Sequence, residues 1–264
     1  MAYKKDSPFK DVTIKHMATY ACYAEIAQAA GPEWDPTELE VKIDKGKYGS
    51  YTNCYRRLLN GIVPGDERVE ILQNKYGNKC DIKIWRDHPF WPLLKLQPLT
   101  HKEIEDALLS INSNIKHHIW VDIPDKEFIE TTRFPRYEPT DEDIERIAKY
   151  KSWDALVTLV AYAREARERG MTMIYYRSAR QVRAIFPRVV TKYPQLYICW
   201  EILASRLIKI IWLPKRTFSS EPQIKVSLRD LRREIEPLAQ AARQCGTCLP
   251  PEEFIIKHKR TFTK

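Results

Sequence analysis

Ser50-Tyr-Thr-Asn-Cys-Tyr-Arg-Arg-Leu-Leu-Asn-Gly61-Ile-Val-Pro-Gly-Asp-Glu-Arg-Val-Glu-Ile-Leu-Gln-Asn-Lys-Tyr-Gly77 is the stretch from which the fold is best read. Ser50 has the hydroxyl of an N-cap, and the run Tyr51–Leu59 is free of Gly and Pro. Asn60-Gly61 ends it, because this pair adopts left-handed backbone angles most readily. Pro64-Gly65-Asp66 opens a second helix over 67–76, with Val69, Leu72 and Tyr76 on one face and Gly77 as its stop. Two more helices precede these. Met17–Ala30 is alanine-rich and stops at Gly31-Pro32. Asp35-Pro36-Thr37-Glu38 places a capping carboxylate, Pro at the first helical position and an acid in the first turn, opening a helix to about Ile43. Lys45–Gly49 reads as a turn.

Downstream the pattern stays helical. Ile84–Leu94 gathers tryptophans, a phenylalanine and prolines and is expected to form an irregular strap. Thr100–His117 carries Ile104, Ala107, Leu108 and Ile111 on one stripe. Residues 118–139 look irregular, with Ile119-Trp120-Val121 as a possible edge strand. Thr140 followed by Asp141, Glu142 and Asp143 is a strong helix start, leading one or two helices to Gly170. Another helix spans 171–193 with a break or kink at Pro187; a buried one spans Gln195–Trp212. The last opens at Ser227, with Arg229, Arg232 and Arg233 on its exposed side and a bend at Pro237. Residues 250–264 read as a tail. The fold class expected is mainly α: a polar arm over 1–16, a small N-terminal unit of short helices over 17–95, and a larger C-terminal helical domain over 96–264 for oligomerisation or docking of a partner or effector.

Composition narrows the function. The chain has 264 residues, 44% hydrophobic and 30% charged, with a formal net charge of +9. That balance suits a globular protein. The 8 glycines form no phosphate-binding string of the Walker or dinucleotide type, so nucleotide-driven enzymes of the common kinds are not expected. The start has no apolar run behind its lysines, and Leu196–Pro214 is interrupted by Glu201, Arg206 and Lys209. A soluble, cytoplasmic chain is expected, with no membrane contact. Cys245-Gly-Thr-Cys248 has the spacing of a redox pair or half a zinc site, but Leu-Pro-Pro follows and only His258 lies near. Asp141–Glu145 reads as a charged helix start, and His117-His118, if helical, would point to different faces. Tyr175-Tyr176-Arg177 with Arg180 and Arg183 forms a basic aromatic face that could clamp single strands, though a solvated face explains it too. No catalytic residue, metal site or cofactor is expected.

The charge is concentrated. Between Lys42 and Arg86 ten basic residues stand against five acids, the footprint of a surface that meets polyanions. The competing reading is a solvated basic face on an ordinary helical subdomain. Small polar residues open the Ser50–Leu59 run and aliphatic ones close it, as in a recognition helix whose start reaches base edges while its end sits in the core. Ser50, Thr52 and Asn53 are the candidate base readers. Arg56 and Arg57 are candidates for guanine or phosphate, and Lys45, Lys47 and Arg68 complete the candidate nucleic-acid-binding set.

Tyr55-Arg-Arg-Leu-Leu-Asn-Gly-Ile-Val-Pro64, with Asp66, Val69 and Leu72, resembles the end of the recognition helix and the next helix in XRE-like, phage-repressor-type helix-turn-helix domains. The resemblance covers roughly 17–77. The Gln-x-x-Leu-Ala signature of the preceding helix is absent, and Leu39-Glu-Val-Lys-Ile43 stands in its place. It implies a non-enzymatic, bacterial-type DNA-binding regulator that favours duplex DNA, with a homodimer or partner protein as a further expectation. The alternative is a non-catalytic subunit of a bacterial defence or mobile-element nucleoprotein assembly.

Overall fold

The computed structural model describes residues 11–44, 53–111, 114–120, 136–212 and 224–259. Fourteen α-helices are described: α1 (Val12–Ala29), α2 (Pro36–Asp44), α3 (Cys54–Leu59), α4 (Asp66–Tyr76), α5 (Ile82–Asp87), α6 (Phe90–Leu93), α7 (His101–Leu109), α8 (Asp141–Lys149), α9 (Trp153–Glu168), α10 (Thr172–Lys192), α11 (Pro194–Tyr197), α12 (Trp200–Leu207), α13 (Leu228–Gln244) and α14 (Glu252–Lys259). Among the described residues the one piece of β pairing is a single bridge between Trp120 and Arg136. The protein is mainly α.

The chain forms two compact units, and each returns to sequence far from where it began. The first takes Met1–His88, Val190–Leu203 and Glu236–Lys264; the second takes Pro89–Val189 and Ala204–Ile235. The N-terminal helices therefore share their unit with two later segments, which a linear division at 95/96 did not include.

In the first unit α1 is the centre. Its Asp11 cap accepts from the Thr13 and Ile14 amides at 2.9 and 3.3 Å, so the helix starts at Val12, inside the stretch expected to be a polar arm. Ile14, Met17, Tyr20, Cys22, Tyr23 and Ala27 are all buried. These positions surround the helix instead of forming a stripe, because α3, α5 and α11 pack against it and its alanines let those backbones come near. Polar links fix the neighbours. The Glu25 carboxylate accepts from the Asp81 amide at 2.9 Å and from the Gln195 side chain at 2.6 Å, and Gln195 also donates to Gln28 at 2.7 Å. The segment 250–264, expected as a tail, holds α14 instead. Its Phe254 stacks on Tyr23 at 5.5 Å, while the Tyr23 hydroxyl donates to the Trp34 carbonyl at 2.5 Å. An aromatic with two apolar receptors gains enough by burial to order a terminal helix.

In the second unit α9 is the centre, with α6, α7, α8 and a π-helical turn at Ile208–Trp212 against it. Thr100 and Thr140 each form a reciprocal capping box, with Glu103 and Asp143 respectively. Arg164 is 3% exposed and donates to the carbonyls of Lys95 and Gln97 at 2.9 and 2.7 Å, so a buried charge ties the segment before α7 to α9. Burial pulls its pKa down to about 10, which leaves it charged at neutral pH. Trp212 donates to the Ala179 carbonyl at 3.0 Å.

Several expectations fail for local reasons. The Ile84–Leu94 strap is two short helices, α5 and α6. The helix from Thr100 stops at Leu109, where the Ser110 hydroxyl donates back to the Ala107 carbonyl at 2.7 Å and a polar Ser/Asn run follows. Gln195–Trp212 is divided into α11, α12 and the π turn. Of the break or kink expected at Pro187, the break does not occur: α10 continues through it. Tyr76 is half-buried, whereas Val69 and Leu72 are core. The helix expected from a Ser50 cap over Tyr51–Leu59 starts at Cys54 instead, because Asn53 holds a left-handed φ of +52° that a continuous helix cannot pass through; the turn expected at Lys45–Gly49 lies outside the described residues.

His88 brings an acid sensitivity to the fold. Burial lowers its pKa from 6.5 to about 4, so the unfolded chain takes up a proton before the folded one does. The stability it confers is complete above pH 6.5 and is lost as pH falls toward 4, a loss approaching about 3 kcal/mol. His88→Gln is expected to flatten the melting-temperature profile between pH 6.5 and 4; an unchanged slope in the variant contradicts the assignment.

Candidate nucleic-acid interface

The basic cluster at 42–86 divides into cations used inside the fold and cations that face solvent. Arg68 belongs to the first group. Its guanidinium grips Asp44 with two bonds, 2.9 and 2.7 Å, and also donates to the Tyr55 hydroxyl. The side chains are 16% and 11% exposed, so the pair is shielded enough to be held strongly. The neighbouring carboxylate and phenol raise the Arg68 pKa above its ordinary value despite burial. Arg68, expected from sequence to bind nucleic acid, is here a clamp that joins α4 to the end of α2 and to α3.

Lys75 does similar work. Its ammonium donates to the Ile43 and Lys42 carbonyls at 2.6 and 3.2 Å, which are orphan acceptors at the end of α2. Arg86 is paired with Asp66 and Asp87, both at 2.8 Å. Arg68 and Arg86 are thus shielded and ion-paired within the fold, whereas Lys75 is exposed and touches carbonyls only, as Lys42 does at the Gly31 carbonyl, 3.2 Å. Lys42, Arg56, Lys79 and Lys83 are exposed and Arg57 is half-buried.

α3 presents two different sides. Tyr55, Leu58 and Leu59 are buried, while Asn53 and Arg56 are exposed. Arg56 donates to the Thr37 hydroxyl at 3.0 Å, a contact that orients the guanidinium without neutralising it. Asn53 precedes α3 in the left-handed region, φ +52°, and its side chain makes no capping bond. Asparagine tolerates that conformation better than most residues, and its amide is left out of the cap. Behind α3, Gly61 holds φ +77° under the ring of His16, fixing the exit toward α4. Lys45, Lys47, Ser50 and Thr52 lie outside the described residues.

The described geometry is α3 seated on both α1 and α2.

Other sequence candidates resolve into structure. On α10, Arg177 pairs with Asp141 at 2.8 Å and Arg183 with Glu234, so acids from neighbouring elements neutralise much of that basic face. Asp143 sits in the Thr140 capping box and Asp141 in the pair with Arg177, as expected for a helix start. His117 and His118 do not diverge; their ring centroids are 3.9 Å apart, because Lys116–His118 is a 3-10 turn and not part of an α-helix. Among the described residues no group of three His, Cys, Asp or Glu is placed to hold a metal. Cys22, Cys80 and Cys199 are buried, and burial pushes their thiols up, the latter two to about 12, which removes them as nucleophiles. Cys245 and Cys248 are exposed and unbridged.

Sequence reasoning missed the clamps made by Arg68 to Asp44, Lys75 to the end of α2 and Arg86 to Asp66, which join positions 20 or more residues apart. Among the described residues no helix is long and apolar enough to cross a membrane. Comparison with protein-family models, with curated proteins and with solved structures returns no significant match.

Proposed function

We propose that the chain is a non-enzymatic DNA-binding regulatory protein that meets duplex DNA through the solvent face of α3 and its flanking cations. The observation that carries this is Arg56. It is exposed, on a helix anchored from behind by Tyr55, Leu58 and Leu59, and oriented by the Thr37 hydroxyl, with no carboxylate paired to it among the described residues. Beside it, the uncapped amide of Asn53 has the donor–acceptor pair that suits a base edge.

Arg56→Ala and Arg57→Ala are each expected to weaken binding to random-sequence duplex and to lower the slope of log affinity against log salt by about one. Asn53→Gly keeps the left-handed backbone and removes the amide; it is expected to relax sequence preference at constant stability. Equal slopes in wild type and both arginine variants would take α3 out of the interface.

A second reading is favoured by the pairing of Arg68 and Arg86 with carboxylates inside the fold. With those charges committed, fewer remain for phosphate contacts, which suits a non-catalytic subunit that binds nucleic acid within a larger nucleoprotein assembly. Tight operator-specific binding by the purified chain supports the regulator; weak binding alone that is restored by a copurifying partner supports the assembly subunit.

A further inference from the structure

The second unit carries an open hollow of about 320 Å³ lined by His118, Arg146, Lys149 and Tyr150. Its volume is at the small end of the roughly 300–1,000 Å³ span of small-molecule sites. Arg146, Lys149 and Tyr150 come from the last turn of α8 and the residue after it; His118 comes from the 3-10 turn at Lys116–His118. Cations in a last helical turn offset the carbonyl ends without any ligand. Two aromatic rings facing the same hollow from separate elements do not follow from that. The Tyr150 ring stands 6.2 Å from the His118 ring, tilted by 58°, and Tyr150 is 42% exposed.

The nearby acids leave room for an anion. Asp143 accepts from Thr140 in the capping box at 3.1 and 2.6 Å, and Asp141 is paired with Arg177. Glu142 meets Arg146 at 3.1 Å, but that pair is 55% and 79% exposed and exchanges readily for a doubly charged ligand. Burial and the neighbouring His117 and Arg146 lower the His118 pKa against the opposing pull of Asp143. The imidazole therefore offers a neutral ring at pH 7 while Arg146 and Lys149 supply the charge.

We propose that this hollow binds a phosphorylated nucleotide unit, with Arg146 and Lys149 on the phosphate and Tyr150 as the stacking platform for the base. The proposal rests on the reading that the chain handles nucleic acid, and it places a contact on the second unit that does not involve α3. Base–aromatic stacking is sequence-tolerant, so this contact would add affinity for a strand end or unpaired nucleotide and not base specificity.

Calorimetric titration of the full chain with adenosine 5′-monophosphate, adenosine and inorganic phosphate tests it. The nucleotide is expected to bind about tenfold more tightly than phosphate, with stacking as the difference, and more tightly than adenosine. Tyr150→Ala is expected to erase the advantage over phosphate and Tyr150→Phe to keep it. Arg146→Ala and Lys149→Ala should each weaken the nucleotide severalfold, with unchanged melting temperatures because both side chains are largely exposed. The Arg56→Ala and Arg57→Ala variants should bind the nucleotide like wild type, so a failed α3 interface and a failed hollow are told apart. No nucleotide binding at millimolar concentration overturns the proposal. Binding insensitive to Arg146 and Lys149, or equal affinity for phosphate and nucleotide, does so as well.

Discussion

Gly61→Ala is expected to lower the melting temperature by roughly 5–15 °C, corresponding to about 2–5 kcal/mol. Two costs combine. At φ +77° an L side chain is strained by about 1–2 kcal/mol. The new Cβ would also lie 1.9 Å from His16 Cδ2 and 2.2 Å from Nε2, so the ring or the turn must move, at about 1–3 kcal/mol for overpacking. The ring is not free to leave, because His16 is bonded to the Asn60 backbone. The double variant His16→Ala/Gly61→Ala is expected to show sub-additive destabilisation, since it removes the clash but keeps the backbone strain. Thermal melts of the two single variants and the double one measure this. A Gly61→Ala protein that melts with wild type would mean that the ring does not sit over the turn, and the exit from α3 would lose its fixed geometry.

Arg68→Ala is expected to cost about 3–5 kcal/mol, the range for removing one member of a shielded ion pair. Asp44 would lose both guanidinium bonds in an 11% exposed site. Arg68→Ala/Asp44→Ala is expected to be closer to wild type than the two single losses added together, with a coupling of about 1–3 kcal/mol. Under conditions where the variant stays folded, its salt slope for duplex binding should equal the wild-type slope, unlike those of Arg56→Ala and Arg57→Ala. Unchanged stability together with a slope lower by one would return Arg68 to the interface, where the sequence alone had put it.

That residue shows why sequence reading stops where it does. The helix starts at Asp35, Thr140 and Ser227 were legible because their physics is local, whereas that of α3 was not. Asp35 accepts from the Thr37 and Glu38 amides at 2.8 and 3.2 Å, Thr140 closes its box with Asp143, and Ser227 accepts from the Asp230 amide at 3.1 Å, each as the residue types required. Gly61 and Gly77 hold the positive φ angles that their positions announced. The mainly α class followed from these signals.

Partners far apart in sequence were not legible. Asp44 takes up Arg68 across 24 residues, and Gln195 reaches Glu25 across 170; neither is marked by any periodicity. Phe254 looks like one aromatic in a basic tail until Tyr23 and Trp34 are placed around it. α1 was expected to be helical from its alanines, but its burial on all sides reflects what packs on it. For the candidate site, Asn53 and Arg56 are exposed, but Tyr55 in the first turn of α3 is buried with Leu58 and Leu59, so the helix divides into two sides and not into an exposed start and a buried end. The division of the basic cluster into internal clamps and outward cations could be read only from the fold.

Photo-crosslinking of the full chain to a duplex, with mass-spectrometric identification of the attached peptides, tests the α3 interface most directly. Attachment is expected within Asn53–Arg57, and it should fade as salt is raised. Crosslinks confined to peptides of the second unit, with none on α3, would contradict it.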